Sequence, residues 1–189
     1  MPVLTVFGGP NGSGKSSIIE RVAFEGKHNL LDSDAIAKRL NPNNPGQSAI
    51  AAARDVLRRT HAYIEAGQSF AVETTLAGSW ILTAMQAALQ QGWMVRVVYI
   101  CVDTPERNIR RVRERVLQGG HDVPDEDIRR RYARSLQNIQ AALKIVGQCT
   151  VYDNSGAEPR KVLETRAGVI VWQAVDQPSW VTSLIKNLS

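Results

Sequence analysis

The sequence predicts an α/β fold built on a mostly parallel central sheet. Apolar, β-branched runs alternate along the chain with segments whose apolar residues recur every three or four positions. The first run breaks into a glycine-rich turn and then opens a helix, the order that parallel sheets repeat. No linker, repeat or low-complexity tract divides the 189 residues, a length that suits one domain of about 100–200 residues.

Leu4–Gly8 reads as the first strand, interrupted by Gly8-Gly9-Pro10, and Lys15–Phe24 carries Ile18, Ile19, Val22 and Phe24 at helical spacing. Leu30-Leu31 lead into Asp32-Ser33-Asp34, a short strand ending in carboxylates. In the loop Pro42–Gly46, Asn44 is placed to cap and Pro45 to take the first helical position. Residues 46–66 predict a helix with Ile50, Ala53, Val56, Leu57, Thr60, Tyr63 and Ile64 on one face. Ser69–Thr75 follows as a strand, then a helix over Ser79–Gln91 stopped by Gly92.

Met94–Val102 is the most apolar strand, and its β-branched continuity predicts burial on both faces. Thr104-Pro105-Glu106 supplies a cap, a proline and an early acid to a helix that ends at Gly119-Gly120. After the loop His121–Pro124, Ile128, Tyr132, Leu136, Ile139, Leu143 and Val146 mark a long amphipathic helix. Thr150–Tyr152 reads as a strand breaking at Asp153–Gly156, and Val169–Val175 as a final strand. Ser179–Leu188 closes the chain as a helix with Trp180, Leu184 and Leu188 inward.

A composition of 43% hydrophobic and 22% charged residues supports a real core and excludes a disordered polyelectrolyte. No run approaches the roughly 18 apolar residues of a membrane span. Met1–Phe7 has neither a basic region nor a cleavage site, so a cytoplasmic protein without membrane association is expected. Cys101 and Cys149 sit in apolar runs without CxxC spacing, which predicts two buried thiols rather than a zinc site. The net charge of +5 is concentrated between Arg107 and Arg134, where nine arginines face five acids.

Gly9-Pro10-Asn11-Gly12-Ser13-Gly14-Lys15-Ser16 matches G-x-x-x-x-G-K-[ST], between a strand and a helix. Its glycines let successive backbone N–H groups face a phosphate, Lys15 supplies charge to the β- and γ-phosphates, and the Ser16 hydroxyl suits Mg²⁺. The motif specifies the fold class as a P-loop NTPase three-layer sandwich that binds ATP with Mg²⁺. Ligands in open parallel sheets bind where strands end. There the sequence places Asp32 and Asp34, on one face if the strand continues, and Glu73-Thr74-Thr75. These carboxylates can accept a hydroxyl proton, orient an acceptor or hold magnesium through water. Either aspartate can instead cap the next helix, and Glu73 can instead form a structural ion pair.

Residues 104–135, two arginine-rich helices around Gly119-Gly120-His121, read as a helical lid over phosphates within the single domain. Arg111 with Arg115, and Arg130 with Arg134, share a helix side. His121 is a phosphate-contact candidate as well as an exposed loop residue. Asp103 reads more simply as a strand-to-helix turn than as a Walker-B acid.

With these pieces in order, the chain resembles the zeta-toxin family of P-loop kinases from Val3 to about Gly156. The resemblance rests on the phosphate loop through Ser17, Asp32-Ser33-Asp34, Glu73-Thr74-Thr75-Leu76, Arg113-Glu114-Arg115 running into Gly119–Pro124, and Tyr152-Asp153-Asn154-Ser155. It implies phosphoryl transfer from a nucleoside triphosphate to the 3′-hydroxyl of the amino sugar in UDP-N-acetylglucosamine. By position, Asp34 matches the general base and Glu73, with Thr74 beside it, the substrate-binding segment. Arg115 and one of Arg130 or Arg131 match lid arginines, and Asn154 lies where related kinases hold adenine. An antitoxin is the partner such a family implies.

Two other readings compete. A nucleic-acid end kinase or RNA-binding ATPase suits the basic charge, but aromatic residues make up only 6% of the chain, few for base stacking. A non-catalytic nucleotide switch leaves Asp34 and Glu73 without a task.

Overall fold

The structure, a computed structural model, describes residues 1–120 and 122–186. The expectations for His121 and Leu188 fall outside the described residues. Seven strands form one sheet in the order β2-β3-β1-β4-β5-β6-β7. These are β1 (Val3–Gly8), β2 (Leu30–Asp32), β3 (Phe70–Thr74), β4 (Met94–Cys101), β5 (Gln148–Asp153), β6 (Arg160–Arg166) and β7 (Val169–Gln173). The first five in spatial order are parallel, and β6 and β7 add an antiparallel edge. The predicted α/β class with a mostly parallel sheet is therefore borne out.

Among the described residues seven α-helices accompany the sheet: α1 (Lys15–Arg21), α2 (Ser33–Leu40), α3 (Ala49–Glu65), α4 (Trp80–Gln90), α5 (Pro105–Leu117), α6 (Asp125–Ile145) and α7 (Ser179–Ile185). The layers they make are unequal. Leu4, Val6, Val72, Val97, Tyr99 and Val151 on one face pack with residues of α2, α3, α4, α6 and α7 into the main core. Among the described residues, the opposite face packs against α1 and the segment after it, through Phe7, Ala71 and Ile100 against Ile18 and Ile19. Period-2 alternation makes this division, since successive strand side chains point to opposite faces.

Four expectations need correction. The first helix ends at Arg21, not Phe24: Val22 is already extended, and Phe24 packs against Phe7 with tilted rings, 4.7 Å between centroids. Because α1 rises only about 10 Å, it covers the carboxyl half of β4 and leaves Arg96 exposed, so that strand is not buried on both faces along its length. On α3 the buried stripe is Ala52, Val56, Thr60 and Ile64, while Ile50 is 70% exposed and Ala53 faces a cleft. Strand β6 was not expected at all. Its charges, Arg160, Lys161, Glu164 and Arg166, leave only Val162, Leu163 and Thr165 buried.

Other expectations hold. Thr104 caps α5 by accepting from the Arg107 N–H at 3.3 Å, with Pro105 in the first turn. Pro45 opens a 3-10 turn before α3, although Asn44 offers it no side-chain bond. Asp103 is indeed a turn residue, gripped by Arg107 Nε and Nη2 at 2.6 and 2.8 Å. Cys101 and Cys149 are free, buried thiols, and burial pushes Cys101 up to about 12.

Candidate active site

The phosphate loop runs from the end of β1 to the start of α1. Gly9 has φ +151°, and a Cβ there would lie 2.0 Å from the Ile100 carbonyl oxygen. Gly14 has φ +94°, and a Cβ would lie 2.2 Å from Asn154 Nδ2. Both positions therefore demand glycine on conformation and on space. The loop is held from outside itself. Asn108 of α5 donates Nδ2 to the Asn11 carbonyl at 2.5 Å, and Asn154 donates Nδ2 to the Ser13 carbonyl at 2.8 Å. Arg131 of α6 donates Nη1 to Asn11 Oδ1 at 3.2 Å. Gly14 gives α1 no side-chain cap, so its first-turn amides are left to a ligand or water.

Lys15 Nζ donates to the carbonyls of Gly9 and Pro10 at 2.8 and 3.2 Å and lies 3.9 Å from Glu73 Oε1. Ser16 donates its hydroxyl to the same Glu73 oxygen at 3.3 Å. The register pairs Glu73 with Phe7 on one side and Asp32 on the other, which brings the carboxylate beside the loop. Burial pushes the Glu73 carboxyl above the usual range, with Lys15 pulling it back. Burial likewise lowers the Lys15 ammonium, opposed by Glu73, Asp34 and Asp32.

The two aspartates divide their roles. Strand β2 stops at Asp32, so the period-2 expectation that Asp32 and Asp34 share a strand face fails. Asp32 is the N-cap of α2, its Oδ1 accepting from the N–H groups of Asp34 and Ala35 at 2.8 and 3.3 Å. Asp34 sits exposed in the first turn of α2, and among the described residues nothing hydrogen-bonds to its carboxylate. It lines two adjoining cavities. One, of about 540 Å³, is walled by α2, Asn43, Ala49, Arg115 and Gly119-Gly120. The other, of about 440 Å³, contains Lys15, Glu73, Thr74, Trp80, Arg130, Arg131 and Arg134. Thus Asp34, Lys15, Glu73, Thr74, Arg115, Arg130 and Arg131 converge on one connected cleft at the carboxyl ends of β1, β2 and β3. Ser16 and Ser17 lie exposed on α1 beside it.

Helices α5 and α6 enclose a small apolar cluster of their own, Ile109, Val112, Val123 and Ile128. Arg113 reaches Asp125 at 2.5 Å and Arg129 reaches Glu106 at 3.4 Å, tying the helices together. Arg130 and Arg131 both bind Asp127, at 2.7 and 3.7 Å. Of the two predicted arginine pairs, Arg130 and Arg134 face one cavity together, whereas Arg115 lines the other without Arg111.

Residues 4–138 of the chain match the AAA domain family. The chain belongs to that family. Another relative, a protein of Haemophilus influenzae described only as uncharacterized, is 35% identical over 124 residues, 66% of this chain and 88% of that one. Among solved structures, this AAA-family chain superposes over its full length on AvrRxo1-ORF1:-ORF2 with ATP, at TM-score 0.69 and 14% identity. It spans 64% of that chain. It also superposes over its full length on the PezAT chromosomal toxin-antitoxin system of Streptococcus pneumoniae, covering 86% of that chain at TM-score 0.63 and 17% identity. The Pnkp1/Rnl/Hen1 RNA repair complex gives TM-score 0.56 and 15% identity over 94% of this chain and 50% of that one. These likenesses establish a shared P-loop NTPase-like fold.

Sequence reasoning missed two residues that brace the cleft. Asn108 is fully buried on the apolar side of α5, beside Ile109 and Val112. A polar residue on an apolar helix face was the available signal. Asn138 donates Nδ2 to the carbonyls of Leu76 and Gly78 at 2.8 and 3.3 Å, and only the three-dimensional path of α6 reveals that contact.

Proposed function

We propose that the chain is an ATP-dependent phosphotransferase acting on a sugar hydroxyl of a nucleotide sugar, with UDP-N-acetylglucosamine as the first candidate acceptor. The observation that carries this reading is Asp34, a carboxylate without a hydrogen-bond partner among the described residues, facing the cleft that also contains Lys15. A surface aspartate used only for capping would resemble Asp32 instead.

In this reading Lys15 meets the β- and γ-phosphates, and the loop from Gly9 to Ser17 wraps them. Arg115, with Arg130 and Arg131, collects the non-bridging oxygens of the transferring group. Glu73 and Thr74 orient the acceptor. Asp34 takes the hydroxyl proton on a carboxylate oxygen as the acceptor attacks. Asn154 braces the loop at Ser13 on the side where adenine lies in this scheme.

The donor set fits Mg²⁺. Ser16 and Glu73 offer hard oxygens 3.3 Å apart at the head of α1. Among the described residues no cluster of three or more acidic, histidine or cysteine side chains could hold a metal unaided, which suits an ion completed by phosphates. Bound with ATP, Mg²⁺ neutralises charge on the β- and γ-phosphates. A protein antitoxin is the partner this reading implies. Among the described residues no helix is long and apolar enough to cross a membrane.

The test is mass spectrometry of the protein incubated with Mg-ATP and a pool of nucleotide sugars, beside Asp34→Asn. A phosphorylated UDP-N-acetylhexosamine that disappears with the variant is expected. Phosphate appearing on oligonucleotide ends instead would replace the acceptor class.

A further inference from the structure

We infer that Trp80 is the platform for a nucleobase of the acceptor, in the cavity that it lines together with Asp34, Lys15 and Glu73; this rests on the nucleotide-sugar reading above. The cleft has a direction. Ala49 and Ala53 of α3 line both cavities beside Asp34, whereas Val56 and Leu57 line only the one that contains Trp80. The eight-residue step from Ala49 to Leu57 advances about 12 Å along the helix. Arg130, Arg131 and Arg134 line the same cavity from α6, so cations border the space that Asp34 and Trp80 share. A sugar hydroxyl at Asp34, a diphosphate beside Arg134 and a planar base against Trp80 suit that shared cavity.

The indole is held before any ligand arrives. Trp80 begins α4, directly after a loop that leaves β3 through Leu76, which is buried and has φ +57°. The Leu76 N–H donates to Thr74 Oγ1 at 3.1 Å. Asn138 clamps the carbonyls of Leu76 and Gly78. A Cβ on Gly78 would come within 2.9 Å of Trp80 Cδ1, so glycine there gives the ring its seat. A left-handed leucine is uncommon, and such backbone persists where its surroundings over-determine it. Core filling alone does not account for Trp80: it packs against the main core that Ile81 and Met85 fill, yet remains partly exposed and lines the cleft.

The test measures binding, not turnover. With the donor site saturated by AMP-PNP and Mg²⁺, UDP and N-acetylglucosamine-1-phosphate are titrated separately by calorimetry into wild type, Trp80→Phe and Trp80→Ala, with thermal melts confirming folding. UDP affinity should fall on the order of ten- to a hundredfold in Trp80→Ala, the loss expected for a base–aromatic stack. Trp80→Phe should retain most of it, and the sugar phosphate should bind all three proteins alike. Equal UDP affinity in wild type and Trp80→Ala, or an equal loss for both ligands, overturns the platform while leaving the kinase reading intact. If wild type binds AMP-PNP but neither UDP nor UDP-N-acetylglucosamine, the nucleotide-sugar reading itself falls and the platform with it.

Discussion

Replacing Asp32 and Asp34 separately should divide stability from chemistry. Asp32 Oδ1 satisfies two of the first-turn N–H groups of α2, at 2.8 and 3.3 Å. Losing such a cap costs about 1 kcal/mol. For a chain of this size that lowers Tm by roughly 2–4 °C. Asp32→Ala should show that loss, while Asp32→Asn keeps an acceptor oxygen and stays near wild type. Asp34→Asn removes a carboxylate without a hydrogen-bond partner among the described residues, so what is lost is its attraction to the Lys15 ammonium and its favourable position near the N-terminus of α2, the latter worth about 0.3–1 kcal/mol at most. As a general base its removal should slow transfer about 10²- to 10⁴-fold, which corresponds to about 3–5 kcal/mol of barrier. Calorimetric melts and single-turnover transfer to UDP-N-acetylglucosamine read the two effects on the same protein samples. A larger Tm loss for Asp34→Asn than for Asp32→Ala, or unchanged transfer in Asp34→Asn, would refute this division.

Two further outcomes follow from the loop and its carboxylate. Gly14→Ala should abolish Mg-ATP binding in calorimetry, because φ +94° and the Asn154 amide 2.2 Å from the new Cβ both exclude the side chain; retained affinity would mean the loop tolerates rearrangement. Burial raises the Glu73 carboxyl in the folded chain, so the folded state holds this proton more tightly than the unfolded state. The contribution is fully present below about 4.5 and is lost as pH rises through the folded value. The Tm difference of Glu73→Gln minus wild type should therefore grow with pH across that window, and a pH-independent difference would contradict it.

The sequence makes the phosphate loop and its neighbours legible because their constraints are local. Gly9, Gly14, Lys15 and the Thr104-Pro105 helix start each obey a short-range rule that needs no tertiary information. Strand β6 escapes because a strand with one open face alternates apolar and charged residues, and Arg160 to Arg166 are too charged to stand out. The length of β2 was equally hidden. Whether Asp34 ends a strand or begins a helix depends on Asp32 accepting from the next turn, so the two readings look alike until α2 is seen. On α3 the periodicity is correct and Val56, Thr60 and Ile64 are buried as expected, but the predicted face is too wide: the flank with Ala53 and Leu57 serves the cleft, and a ligand-facing wall mimics a core-facing one.

The separate apolar cluster between α5 and α6 has a consequence for how the molecule breathes. At its base α5 is fastened through Arg107 to Asp103 and through Asn108 to the phosphate loop. Where α6 leaves the cluster, the Tyr132 hydroxyl, with the Val102 and Asp103 carbonyls at 2.9 and 3.0 Å, fastens it to the end of β4. Between these anchors, Ile109, Val112, Val123 and Ile128 are a self-contained cooperative unit. Its opening exposes a handful of aliphatic side chains and leaves the sheet's packing untouched. Amide hydrogen exchange is therefore expected to show a step, with protection lower at the tip that carries Arg115 and Gly119-Gly120 than from Tyr132 onward, and the cleft on the boundary between the two.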